Sequence, residues 1–266
     1  MKATVFSVDG KEKGSIELPK AFDTRTNKEL IKRAVLSIQS KARQPKGTDP
    51  KAGRKNTARA VSNRNKIQSE RTINVGKARL PRLKNRRHLL YGRVARVPQA
   101  VGGTRAHPPK AEKVLAEGIN KKEKKKAMLS AVGASIDRVL VEKRHVLGEV
   151  KLPVIVESKF EDFEKTKDVM AVFKALKLDG DIDNAKQKCR PKSGKGKQRG
   201  RTKKQKKSLL IVTKGNSKVY KAARNIPGVD VSTVASLNAE LLAPGCEPGR
   251  LVVWTEDAIK ALGEKA

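Results

Sequence analysis

A mainly parallel, doubly wound α/β sandwich is the fold class that this sequence predicts, on three observations. From Pro153 onward, short apolar runs ("VIV", "SLLIVT", "VDVSTV", "LVVWT") alternate with stretches of helical character. Strands alternating with helices of this length form βαβ units, and their parallel sheet is covered on both faces. The first run is continuously apolar, as a strand buried on both sides is. Finally, the charge balance separates a nearly neutral body from two strongly cationic stretches. Right-handed crossovers are expected.

The elements follow in order. Residues 2–8 ("KATVFSV") alternate loosely and end at the turn pair Asp9-Gly10, so Gly14 to Leu18 is expected to return as a hairpin strand. Thr26-Asn27-Lys28-Glu29 reads as a capping box, with Thr26 as N-cap and Glu29 third in the helix. Leu30, Ile31, Ala34, Val35 and Ile38 then keep a helical period until Pro45. Past Pro108-Pro109, a short helix is expected to reach Glu117. Asn120 with Glu123 resembles a second cap. It would open a longer helix with Ala127, Met128, Ala131, Val132, Ile136, Val139 and Leu140 on one face. The basic first turn, "KKEKKK", opposes the helix dipole. It reads either as a solvated face or as a turn with an RNA phosphate beside it. Ser158 with Glu161 should cap a helix carrying Val169, Val172, Phe173 and Leu176. Further helices are expected near 216–224, over "ASLNAELL" and from Thr255-Glu256-Asp257 onward. Residues 1–44 and 108–266 are thus assigned to the α/β body.

The 266 residues carry a formal net charge of +35, which points to a polyanionic partner, nucleic acid before membrane. Arg43 to Lys110 holds 19 Lys and Arg but only two acids, Asp49 and Glu70, with no sustained period and Gly and Pro at both ends. Lys186 to Lys207 holds 12 Lys and Arg and no acid. Outside these runs, 31 basic and 25 acidic residues leave a net charge of +6. Residues 45–107 therefore read as a long extended arm that orders against RNA, and 186–207 as a basic loop within the body. The candidate RNA-binding residues in the arm are Arg54, Lys55, Arg59, Arg64, Arg82, Arg86 and Arg87. In the loop they are Lys195, Lys197, Arg199, Arg201, Lys203 and Lys204.

Other chemistry finds little support. No GxxxxGK-Ser/Thr phosphate loop occurs. "SGKGKQRGRTKK" does not directly follow an apolar strand, so it reads as a flexible cationic loop and not as a cofactor turn. His88, His107 and His145 have no ligand spacing, and Asp179, Asp181 and Asp183 read as a turn, so no metal and no cofactor are expected. Cys189 and Cys246 form no zinc or disulfide framework and fit a reducing cytoplasm. No signal peptide and no membrane span are expected, because apolar runs reach only about four residues where a span needs about 20. Aromatic residues make up 3% of the chain, which argues against stacking platforms and for binding by Arg and Lys to the RNA backbone.

The strings "GKARLPRLKNRR" and "YGRVARVPQAVGGTRAHPPK", within Gly76 to Lys110, resemble the universal ribosomal protein L-four family of the large subunit in its archaeal form. "SGKGKQRGRTKKQKKSLLIVTKGN" is similar to the archaeal and eukaryotic branch, and the order of elements extends the resemblance over essentially the whole chain. The resemblance implies a structural constituent of the large subunit, not an enzyme, with a Rossmann-like body on the subunit surface. It implies that the chain binds 23S-type ribosomal RNA early in assembly. It also implies a loop reaching the wall of the polypeptide exit tunnel, beside another ribosomal protein and the nascent polypeptide. Gly76, Lys77, Ala78 and Arg79 match the tunnel-facing tip, and Arg93, Arg96, Arg105 and His107 the returning arm. The chain departs from the family at Ile73-Asn74-Val75, where an aromatic residue, Gly and Ser or Thr are usual. Two other readings stay open on the residues alone: a Rossmann-like RNA-modifying enzyme and a non-ribosomal RNA chaperone.

Overall fold

The structure, a computed structural model, describes residues 1–265. The chain divides into two compact units, one of Met1–Lys41 with the chain from Glu117 onward, the other of Ala42–Ala116.

The first unit is the predicted α/β sandwich. Strands β1 (Lys2–Phe6) and β2 (Glu12–Glu17) form the expected hairpin. Its turn needs Gly10, which has φ +80° and sits so close to the Ala175 carbonyl that a Cβ would lie 2.6 Å from that oxygen. Helix α1 (Lys28–Lys41) follows. Asn27, and not Thr26, supplies the cap: its Oδ1 accepts from the Leu30 amide at 3.1 Å. No helix forms over residues 111–117. Glu117 instead bonds through its backbone to side chains of α1, its amide donating to Ser40 Oγ and its carbonyl accepting from Ser37 Oγ, both at 2.8 Å.

The cap at Asn120 and Glu123 is present and opens α2 (Lys121–Gly133). The single long helix expected from here is two. A Cβ on Gly133 would stand 2.3 Å from the Thr24 carbonyl, and Asp137 then starts α3 (Arg138–Glu142) by accepting from the Val139 amide. Val139 accordingly points outward and is 62% exposed. Strand β3 (Val154–Val156) precedes a 3-10 turn, Ser158–Asp162, and α4 (Thr166–Ala175). Glu161 caps no helix; its Oε1 accepts from Thr255 Oγ1 at 2.6 Å. Asp179, Asp181 and Asp183 open a helix, α5 (Asp179–Gln187), where a turn was expected. The basic loop carries a small ribbon of β4 (Arg190–Pro191) and β5 (Lys203–Lys204). The remaining elements alternate as read: β6 (Leu210–Thr213), α6 (Val219–Ala223), β7 (Asp230–Thr233), α7 (Ala239–Leu242), β8 (Val252–Thr255) and α8 (Glu256–Lys265).

The main sheet has the order β2-β1-β3-β8-β6-β7, parallel throughout except for the β1–β2 pair. Each central strand feeds two cores. Ile155, Val212 and Trp254 face α1, α2, α7 and α8, while Val154, Val156, Ile211 and Val253 face α3, α4, α5 and α6. The β3→β6 and β6→β7 crossovers run in one direction over the second face, and β7→β8 returns over the first. Opposite directions on opposite faces are what a single crossover hand requires.

In the second unit only Ala58, Thr72 and Thr104 are buried. Isolated antiparallel bridges tie Arg59 to Arg82 and Arg82 to Val94.

Candidate nucleic-acid interface

Arg82 lies in the middle of the arm's backbone network. Its amide and carbonyl exchange hydrogen bonds with Arg59, both at 3.1 Å. Its guanidinium donates to the carbonyls of Gly92 at 2.9 Å and Ala78 at 3.1 Å. Arg96 plays a similar part at the base. Held at φ +71°, it donates to the carbonyls of Ala58, Arg54 and Asn56, and its own carbonyl accepts from Thr104 Oγ1 at 3.0 Å. Buried Thr72 bonds Val61 through its amide and its hydroxyl. With almost no apolar core, the arm is held by these polar bonds.

Arg96 is nevertheless exposed, and so are most of the other candidates. Arg54, Lys55, Arg59, Arg64, Arg86, Arg87, Arg93, Arg105 and His107 are all exposed, and so are Gly76, Lys77, Ala78 and Arg79. Among the described residues of the arm, only Lys55 (with Asp49) and Lys66 (with Glu70) pair with a carboxylate. The backbone turns at Asn74 and Gly76. Asn74 adopts φ +53° and Gly76 φ +69°, and Asn is among the few residues other than Gly that enter the left-handed region readily.

The second cationic surface belongs to the body. Lys195, Lys197, Arg199, Arg201, Lys203 and Lys204 stand exposed on the ribbon and its 3-10 turn, Lys195–Arg199, which Gly200 closes at φ +76°. None of them pairs with a carboxylate among the described residues. The next lysines do. Lys206 Nζ lies 3.3 Å from Asp181, and Lys207 Nζ 2.8 Å from Asp230. Asp181 is fully buried and also accepts from the Ser208 hydroxyl at 2.5 Å, the Val146 amide at 3.2 Å and His145 Nδ1 at 2.8 Å. Burial alone would raise its pKa, but these donors and Lys206 hold it at about 2. Burial pushes His145 down, against the pull of Asp181. We assign a neutral imidazole whose Nδ1–H donates to an ionised carboxylate. Arg250, 1% exposed, completes the foundation with donations to Asp230 and to the carbonyls of Ser208, Leu209, Gly228 and Leu241.

The usual ligand crevice of such a sheet lies beyond the strand C-termini where the winding switches faces, here between β3 and β8. Glu161, in the 3-10 turn after β3, reaches across these strand ends, bonded to Thr255 at the end of β8 and to the Lys214 amide just after β6. Glu157 stands beside it, bonded to the Val8 amide and Lys13. Two carboxylates oppose a phosphate there, and both are engaged.

A sequence profile of the ribosomal protein L4/L1 family matches residues 16–265. The chain belongs to that family. It is 44% identical over 267 residues to the large ribosomal subunit protein uL4 of Methanococcus vannielii, with 100% of both chains covered. It is 47% identical over 264 residues to that of Methanoculleus marisnigri, and 45% identical over 264 residues to that of Archaeoglobus fulgidus, with 99% of each chain covered in both cases. L4/L1 proteins are structural proteins of the ribosome and not enzymes, so the RNA-modifying reading falls.

Within this L4/L1 chain, the RNA-binding candidates Arg82 and Arg96 also donate to the arm's own carbonyls, a second role that sequence reasoning did not anticipate. It missed the Asp181–His145–Ser208 network. The sequence does contain one signal: Asp181 follows Asp179 at the start of a segment that keeps a helical period through Ile182 and Ala185.

Proposed function

We propose that this chain is a structural constituent of the large ribosomal subunit, where it works in the cytoplasm. Its arm and its ribbon bind 23S-type ribosomal RNA early in assembly. The tip, Gly76 to Arg79, forms part of the polypeptide exit-tunnel wall, beside a neighbouring ribosomal protein and the nascent chain. The observation that carries this reading is the set of exposed cations on 45–107 and 186–207 that have no carboxylate partner. Unneutralised charge at this density seeks phosphate, and each phosphate neutralised releases counterions. Arg can also fork onto phosphates bidentately, which Lys cannot.

The test is sedimentation. Tagged protein expressed in cells should co-sediment with large subunits in a fixed ratio and stay bound at high salt. An RNA chaperone would dissociate at high salt, and its appearance only in free fractions would overturn the ribosomal assignment. Deletion of 74–79 should leave incorporation intact and alter the binding of tunnel ligands. Loss of incorporation would make the tip an assembly anchor.

A further inference from the structure

Tyr91 is the one aromatic residue of the arm, and it stands at a cavity. The cavity has a volume of about 440 Å³ and is lined by Arg59, Lys66, Lys84, Asn85, Arg86 and Tyr91 among others. That volume lies within the range of small-ligand sites, about 300–1,000 Å³. Three side chains frame it by reaching to one turn. Tyr91 Oη donates to the Ser69 carbonyl at 3.0 Å, Arg86 to Ser69 Oγ at 2.7 Å and Lys84 Nζ to the Glu70 carbonyl at 2.7 Å. The phenol oxygen is thereby fixed, while the residue stays 41% exposed. Four cations line the same cavity against a single carboxylate, Glu70, which lies 3.8 Å from Lys66.

A ligand suited to this site is planar, stacks on one ring and carries negative charge at its edge. We propose that the cavity receives a single unstacked nucleotide of an RNA chain. Its base lies against Tyr91, and its phosphates lie against the cationic rim of Arg59, Lys66, Lys84 and Arg86. The proposal rests on reading the arm as RNA-binding and adds to it a contact that selects local RNA shape. Backbone-directed binding tolerates any duplex, whereas this cavity favours a bulge or loop with one base free, the usual target of recognition beyond the phosphates in RNA.

The experiment uses the full chain and two RNA hairpins, identical except that one carries a single bulged 2-aminopurine. Stacking of one base on an aromatic ring is worth about 5- to 150-fold in affinity. At fixed salt, the bulged hairpin should bind at least about fivefold tighter, with the probe's fluorescence quenched. Tyr91→Ala should bring the affinity ratio of the two hairpins near one. Tyr91→Phe should keep most of the ratio, since the ring remains. In the unsubstituted protein, a bulged 4-thiouridine should photo-crosslink to the cavity's own residues, a readout that needs no variant to fold. Equal, tight binding of both hairpins would overturn the nucleotide site and leave the RNA reading standing. No binding of either hairpin at low salt would overturn the RNA reading itself. A preference that survives Tyr91→Ala, or a crosslink elsewhere, would also overturn the site. If adenosine 5′-monophosphate alone binds as tightly as the bulged hairpin, the cavity serves free nucleotides and its assignment to an RNA chain fails.

Discussion

Lys206 and Asp181 fasten the basic ribbon to the body: an ammonium at the surface meets, at 3.3 Å, a carboxylate with no exposed area. Removing one partner of a buried ionic network leaves the others unsatisfied, at a cost of about 3–5 kcal/mol. Asp181→Ala should therefore lower the stability of the first unit by roughly that amount. Urea unfolding followed by the fluorescence of Trp254, the chain's single tryptophan and fully buried, measures it. A loss under 1 kcal/mol would show that the network is solvated.

The same network sets a pH dependence. Burial depresses the pKa of His145, so the unfolded chain binds a proton there below its ordinary value of about 6.5 while the folded chain resists. This contribution is present above pH ~6.5 and declines as pH falls. Asp181, at about 2 in the fold, adds a second term that is present above about pH 4 and is lost as pH falls towards 2. Stability should thus decline in two stages on acidification. His145→Gln should flatten the first stage, and Asp181→Asn the second. An unchanged profile in both variants would assign the acid sensitivity to other groups.

The guanidinium groups of Arg96 and Arg82 bond the arm's own carbonyls, whereas those of Arg64 and Arg87 bond none among the described residues. Arg96→Ala should expose the carbonyls of Arg54, Ala58 and Asn56 and speed amide exchange around Arg59 and Thr72 without any RNA present. Arg64→Ala and Arg87→Ala should leave exchange unchanged and reduce the salt slope of RNA binding, each by about 0.7–0.9. Because the arm buries so little, its amides should still exchange faster than those of β3, β6 and β8. Equal effects of Arg96→Ala and Arg64→Ala on exchange would cancel the distinction.

Two left-handed positions make a paired prediction. Gly53 has φ +74°, and a Cβ there would lie 2.6 Å from the Gly103 carbonyl carbon and oxygen. Gly53→Ala should open the base of the arm, as seen by faster exchange. Asn74→Gly should be neutral, while Asn74→Val should cost about 1–2 kcal/mol locally, because a β-branched residue resists φ +53°.

The ribbon can be tested separately. Changing Lys195, Lys197, Arg199 and Arg201 to Gln should lower the salt slope by about 3. The urea midpoint should not move, since none of the four takes part in an ion pair. A shifted midpoint would mean that the ribbon supports the body.

Much of the body was legible because its signals are local. The strands over 154–156, 210–213 and 252–255 are continuous apolar runs, and Asn120 with Glu123 is a complete cap. What failed depends on distant neighbours. Helix α2 ends at Gly133, a position that the Thr24 carbonyl keeps free of any side chain, and Asp137 opens a new one. Glu117 stays out of a helix because two serines of α1 bond its backbone. Asn27 displaces Thr26 as cap by a shift of one residue that composition does not resolve. In the arm, charge alone does not show which arginines also bond their own chain, since all are Arg in a basic context.

The self-bonding of Arg82 and Arg96 also bears on timing. An arm already shaped by its own guanidinium groups has less conformational freedom left to lose when it meets a partner. The flexible party at first contact would then be the RNA, and a young transcript would mould itself around the protein. Loosening the arm, as in Arg96→Ala, should slow capture more than it speeds release, so the defect would be largest in cells that make subunits quickly and small in those that make few.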